Sequence, residues 1–200
     1  MVAAEIKYTK TALRHEQVKL RQLKKYLPTL QLKKALLQAE VLAAEVELEQ
    51  SLAESKLALE GTLRFAPLLA DRRERDLLAS LEVQDVQLDY ENIAGVDIPI
   101  FISVEFALPS YFLFDTPVWF ESALFKMKEM VIAREKVKVH DEKKRLLEKE
   151  LREISMRVNL FEKRLIPQTE SNMKRITIFL GDQQLAAIAQ AKVAKAKIRR

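Results

Sequence analysis

From Leu13 onward, residues spaced alternately three and four apart form one long series: Leu13, Glu16, Leu20, Leu23, Leu27, Leu30, Lys34, Leu37, Val41, Ala44, Leu48, Ser51, Ser55, Ala58, Thr62 and Phe65. Eleven of the sixteen are apolar, so the spacing predicts one helix of more than seven heptads with a seam facing a partner helix. Pro28 lies inside the series. Because the pattern resumes in phase, a bend near Tyr26–Leu27 is expected rather than a stop. Small seam residues at Ala44, Ser51, Ser55 and Ala58 allow close approach of the partner. A second series reads Val137, His140, Lys144, Leu147, Leu151, Ile154, Val158, Phe161 and Leu165, with seven of nine apolar. After Pro167 the apolar phase slips by one residue, to Met173, Ile176, Leu180 and Ala187, which predicts a local change of helix pitch or direction there. Thr116 before Pro117 supplies a capping hydroxyl and a proline at the first helical position. The second helix is therefore expected from about Pro117 to near the C-terminus.

Between the helices the period changes to two. Val86, Leu88 and Tyr90 alternate with Gln87, Asp89 and Glu91, and Ile100, Ile102, Val104 and Phe106 alternate with Phe101, Ser103 and Glu105. A strand pair turning around Ala94–Gly95–Val96–Asp97 follows. Helices of this length, roughly 80 to 110 Å at about 1.5 Å per residue, cannot be wrapped in a globular core by so short a chain. The predicted fold is mainly α: a long antiparallel two-helix coiled coil with a small β-hairpin insert. Its divisions are an N-terminal helix over 1–78 kinked near 28, an insert over 79–116, and a C-terminal helix over 117–200 irregular near 167.

Composition narrows this further. Only 3 of 200 residues are glycine, too few for the turns of doubly wound α/β folds, sandwiches or barrels. With no cysteine, disulfides and thiolate metal sites are excluded. The two histidines, His15 and His140, are too far apart in sequence to suggest a metal or proton-transfer site. The N-terminus lacks a signal-peptide core, and the most apolar stretch, Ile98 to Phe114, is interrupted by Pro99, Glu105 and Pro109. A soluble, cytoplasmic chain is expected.

Charge is divided along the chain. From Asp76 to Glu121 there are nine acidic residues, and no Lys or Arg stands between Arg75 and Lys126. The rest carries 34 basic against 20 acidic residues, a net of +14. Lys7 to Lys34 holds nine basic residues and one Glu, and Lys192 to Arg200 holds five basic residues and no acid. Side by side, the two ends would make a positive pole. Such a pole is either a solvated surface or a contact for an anionic partner. No zinc finger, ribonucleoprotein motif or basic zipper region argues for nucleic acid.

Nothing in the sequence assembles a reactive site. There is no glycine-rich phosphate loop, HExxH, GxSxG or metal-ligand spacing, and the carboxylates follow helix faces. His140 reads as a helix-interface residue, and Glu16, Lys34 and Lys144 read as register-setting polar residues in the seam. No cofactor, metal or catalytic residue is expected, and the chain reads as a non-enzyme.

Two stretches carry a resemblance. The second helix contains Arg157-Val158-Asn159-Leu160-Phe161-Glu162 followed by Leu165-Ile166-Pro167, and the insert contains Ala94-Gly95-Val96-Asp97-Ile98-Pro99-Ile100-Phe101. Together with Thr9-Lys10 and Leu32-Lys33-Lys34 in the first helix, these resemble the D subunit family of V-type and A-type rotary ATPases. The motif residues are Arg157, Val158, Asn159, Glu162, Ile166, Pro167, Gly95, Val96 and Pro99. The chain departs from the family pattern at Pro28 and in its alanine-rich tail. The resemblance implies a non-catalytic central rotor shaft, transmitting torque between the catalytic ring and the ion-translocating membrane ring, in ATP synthesis or hydrolysis coupled to proton or sodium transport. It implies as partners the catalytic and non-catalytic nucleotide-binding subunits of the head, a small F subunit, and the funnel-shaped stalk subunit on the membrane ring. The chain would then be cytoplasmic and peripheral to the membrane through the complex, with Lys10, Arg14, Lys192, Lys195 and Lys197 forming a basic tip that faces the bore. For Arg157, Asn159 and Glu162 a polar network bracing the helix pair stands beside a partner contact; Gly95 and Pro99 read as turn-forming residues. A prefoldin-like chaperone, also built from long antiparallel helices and a β insert, is the competing reading, and a coiled coil binding anionic lipid is a third.

Overall fold

The computed structural model describes residues 7–70, 77, 80–107 and 116–198. Asp76, Pro109 and Asp115 of the middle segment, and Arg199 and Arg200 of the basic end, lie outside them. In chain order the elements are α1 (Lys10–Leu63), a short 3-10 turn (Ala66–Ala70), β1 (Val83–Ile93), β2 (Val96–Phe106), α2 (Trp119–Leu160), a π-helical turn (Phe161–Leu165) and α3 (Ile166–Ile198). The chain forms two compact units, one from Met1–Lys34 with Glu153–Arg200 and the other from Ala35–Arg152.

In the first unit the two helical segments run antiparallel. The Tyr8 ring lies 4.9 Å from that of Phe179, Lys24 reaches Glu170 at 2.7 Å, and Gln31 donates to Glu162 at 2.5 Å. Helix α1 starts where Thr9 accepts the Ala12 N–H through its hydroxyl at 3.2 Å, satisfying one of the unpaired N–H groups of the first turn. It continues without interruption past Pro28, which is exposed on the face away from the seam. Leu23, Ile154, Val158, Thr169 and Ile176 are buried between the two segments.

The phase slip near Pro167 has a defined cause. Phe161 to Leu165 form a π turn, in which the Ile166 N–H bonds the Phe161 carbonyl five residues back. One extra residue is accommodated in a single wide turn, so the buried positions step from Val158, Phe161 and Leu165 to Thr169, Met173 and Ile176 and still face α1. Pro167 explains the position. It has no N–H for the Lys163 carbonyl, and its ring would press on that carbonyl in a regular α-helix.

The second unit pairs the later part of α1 with α2, again antiparallel. Lys144 lies 3.0 Å from Glu45, Lys143 2.7 Å from Glu47, and Lys136 2.9 Å from Glu54. The Thr62 hydroxyl is 3.2 Å from the Lys126 carbonyl. Leu77, Phe120, Ala123, Leu124 and Met127 form a small core, with Phe65, Leu81 and Trp119 packed against it. Helix α2 begins at Trp119 rather than at Pro117, because Pro117 first closes a turn in which the Phe120 N–H bonds its carbonyl.

The hairpin joins β1 and β2 through a two-residue loop, Ala94–Gly95, between the paired Ile93 and Val96. Both loop residues have positive φ, 53° at Ala94 and 81° at Gly95, the pattern of a type I′ turn. The Asn92 side chain closes the turn, accepting the Gly95 N–H and donating to Asp97. Alanine is strained at that φ where glycine is not, so Ala94→Gly is expected to raise stability by about 1 kcal/mol or less, read as a higher urea midpoint. The simple alternation expected of β2 fails near its middle. A bulge leaves Ile102 without a partner, since Gln87 pairs Ser103 while Leu88 pairs Phe101. Ile98 and Pro99 are buried and Phe101 half-buried, while Ile100 and Ile102 are exposed.

Candidate functional site: helix seams and the basic end

The seam positions read from the sequence are the ones the fold covers. All sixteen from Leu13 on α1 to Phe65 just past its end are buried or half-buried, as are all nine from Val137 to Leu165. Of the polar members, Ser51, Thr62, His140 and Lys144 make specific bonds across the seam. The Ser51 hydroxyl donates to the Glu47 carbonyl at 2.9 Å and lies 2.7 Å from His140 Nδ1. Its single hydrogen is thereby used, so His140 Nδ1 carries a proton and donates to Ser51. Lys144 bonds Glu45 and also approaches Glu148 at 3.8 Å. The bond to Glu45 holds the ammonium above its ordinary pKa, against a smaller opposing effect of burial.

Glu16 differs from these. Its Oε2 is buried and has no hydrogen-bond partner among the described residues. A buried acceptor without a partner carries its desolvation cost uncompensated. Glu16→Leu is therefore expected to stabilise the first unit by about 1–2 kcal/mol, checked by thermal melting at neutral pH.

The motif residues have separate placements. Val158 is buried in the seam and Ile166 half-buried directly after the π turn, while Pro167 is exposed. Arg157 lies 3.6 Å from Glu153 on its own helix, Glu162 bonds Gln31 across the pair, and Asn159 is exposed. The structure therefore does not join Arg157, Asn159 and Glu162 into one bonded cluster. Gly95 is the second turn residue, Val96 closes the hairpin opposite Ile93, and Pro99 is buried opposite Tyr90.

The five basic tip residues fall at two levels. Lys10 opens α1 and Arg14 is exposed one turn on, near the level of Phe179, which packs on Tyr8. Lys192, Lys195 and Lys197 lie 13 to 18 residues past Phe179, about 20 to 27 Å further along α3 at 1.5 Å per residue. The two basic ends therefore do not form one pole, because α3 outruns the start of α1. From Asp182 to Ile198 every residue of α3 is exposed.

A second series on α1 escaped the sequence reading, although its signal has the same form as the first. Leu36, Ala39, Ala43, Val46, Gln50, Ala53 and Leu57 also follow three–four spacing, alternately one and two residues ahead of the seam positions, and all are exposed. Among the described residues no group of three or more His, Asp or Glu side chains could hold a metal ion. No helix among them is long and apolar enough to cross a membrane.

Comparison with known proteins gives one answer. The family of the ATP synthase D subunit matches residues 12–196. The V-type ATP synthase D subunit of Chlamydia caviae is 44% identical over 198 residues, covering 98% of this chain and 95% of that protein. The protein of the same name from Chlamydia pneumoniae is 42% identical over 202 residues, with the same two coverages. That of Chlamydia trachomatis is 43% identical, covering 98% of both chains. A two-helix coiled coil with a hairpin insert, matched almost end to end at this identity, belongs to the ATP synthase D subunit family, a component of the rotary ATPase complex.

Proposed function

We propose that this chain is the non-catalytic central rotor shaft of a V/A-type rotary ATPase, carrying torque between the catalytic ring and the ion-translocating ring of the membrane. The observation that carries the reading is the end of α3, where seventeen consecutive exposed residues, Asp182 to Ile198, extend past the start of α1. An isolated helix bearing Leu185, Ile188 and Val193 exposed needs a surrounding partner, and the bore of a ring of nucleotide-binding subunits supplies one. Lys192, Lys195 and Lys197 would slide past carboxylates of that bore, with Lys10 and Arg14 meeting a lower level of it. Seams locked by paired side chains give torsional stiffness without any reactive group. Changing contact between an asymmetric shaft and three catalytic interfaces would bias each interface in turn. The remaining partners would be the small F subunit and the funnel-shaped stalk subunit, and the chain would be cytoplasmic and peripheral to the membrane through them.

Purifying the tagged full chain from its own cells, with the associated subunits identified by mass, tests the reading. Recovery with two large nucleotide-binding subunits and a small companion supports it. Recovery as a hexamer of similar small coiled-coil chains overturns it in favour of a prefoldin-like chaperone.

A further inference from the structure

The surplus residue held in the π turn at Phe161–Leu165 can sit elsewhere along the helix. A wide turn moves when successive N–H groups exchange the carbonyl four residues back for the one five back, or the reverse. No hydrogen bond is lost in a step, provided that the next residue has an N–H. Toward the C-terminus the next residue is Pro167, which has none. A step that way would also bring Gln168, Asn172 and Arg175 against α1 in place of Thr169, Met173 and Ile176. Toward the N-terminus, from Ile166 back through Met156, every residue has an N–H.

A wide turn one helical turn upstream, over Arg157–Phe161, changes which side chains meet α1. Residues after the turn follow the phase of Thr169 and Met173, which reaches back one heptad to Glu162 and Ile166. Glu162 and Ile166 then replace Phe161 and Leu165, a rotation of about 100° for that stretch alone. Val158 upstream and Ile176 downstream, 4% and 1% exposed, keep their places. Ile166 is apolar and already half-buried, so the exchange suits it. Glu162 is exposed and bonded to Gln31, and turned inward it needs a cation.

The first helix supplies one. Lys34 stands in the seam one turn past Gln31, half-buried, with no ion pair among the described residues. The pairings Lys24–Glu170 and Gln31–Glu162 place it at the level of residues 158–162 of the second segment. A seam lysine without a counter-charge is poorly placed for one position of the wide turn and well placed for the other.

We infer that the wide turn has two positions. At Phe161–Leu165 it sets Phe161 and Leu165 against α1; at Arg157–Phe161 it sets Ile166 and a Glu162–Lys34 ion pair there instead. Pro167 sets the balance. Its ring presses on the Lys163 carbonyl wherever the helix around it is regular, so the first position is the resting one. A molecule bound to the outward side of this stretch meets Glu162 in the first position and not in the second, and so selects between them. Both positions belong to the chain itself, whether or not it works as a rotor shaft.

The test places 4-trifluoromethylphenylalanine at Phe161 of the full chain, and separately at Phe179, and follows the fluorine resonance. Phe179 lies downstream of both positions, so its packing on Tyr8 is the same in each. Pro167→Ala is expected to raise the share of a second, solvent-exposed Phe161 resonance about fivefold or more, identified by its broadening with a soluble paramagnetic agent. In the native sequence, saturation at that frequency is expected to reduce the dominant packed resonance. Adding Lys34→Leu to Pro167→Ala is expected to restore the packed resonance, with the Phe179 probe unchanged throughout. A single packed resonance in Pro167→Ala, or no saturation transfer in the native sequence, would overturn the two positions. Exposure of both probes together would do the same, because it reports unwinding of the helix pair. An exposed resonance indifferent to Lys34→Leu would remove the Glu162–Lys34 pair and with it the second position as described.

Discussion

Deleting Lys163 is expected to leave the first unit folded, while inserting one alanine between Lys163 and Arg164 is expected to disrupt it. In most helices both changes are equally harmful, since either rotates everything downstream by about 100°. Here the π turn at Phe161–Leu165 already contains one residue more than a regular helix would. Removing a residue from that turn lets it close as an α turn, with Thr169, Met173 and Ile176 still facing α1. The Pro167 ring then meets a carbonyl of the preceding turn, a cost the helix bears as α1 does in continuing past Pro28. Adding a residue has no such outlet. It turns Ile176, 1% exposed, and its neighbours Thr169 and Leu180 away from the seam. Losing that burial costs about 3–5 kcal/mol on ordinary apolar transfer values, with the cavity left behind included. Urea denaturation of the two variants measures the asymmetry directly. Equal destabilisation by both would show that the π turn does not carry the phase.

The same turn illustrates what was legible in the sequence. The slip after Pro167 is visible as spacing alone, because burial on a helix is periodic and one extra residue shifts every later apolar position. Both long helices, the strand pair and the turn at Ala94–Gly95 are visible for the same reason. Other features depend on axial distance or irregular pairing, which spacing does not encode. Counting lysines suggests one basic pole, but the contact of Tyr8 with Phe179 shows that α3 extends well past α1. The bulge opposite Leu88 breaks the alternation that the spacing of β2 implies. The outer strip from Leu36 to Leu57 is equally legible as spacing, but a helix that already has one seam is easily taken as accounted for. Close identity to the chlamydial D subunits along nearly the whole length decides between the rotor and chaperone readings, which share the helix-and-hairpin plan.

Phe120→Ala is expected to be the most damaging single substitution in the second unit, costing about 3–5 kcal/mol. Trp119, Phe120 and Phe125 stand close together at the start of α2, but the structure gives them different surroundings. Phe120 is fully buried among Leu77, Ala123, Leu124 and Met127, with its ring 6.2 Å from that of Trp119. Phe125 is 60% exposed, with Lys126 Nζ 5.5 Å from its ring centre. Truncating Phe120 opens a cavity in a core of only a few side chains, which has little capacity to collapse around it. Truncating Phe125 removes mostly hydrated surface and a weak cation contact, so Phe125→Ala is expected to cost less than about 1 kcal/mol. Fluorescence of the single tryptophan, Trp119, follows the melt of this end directly. For Phe120→Ala it should report loss of packing at a lower denaturant concentration than far-ultraviolet circular dichroism, which follows the whole helix pair. Coincident transitions in that variant would mean that the small core and the helix seams unfold as one unit, and that the hairpin end is held by more than the side chains around Phe120.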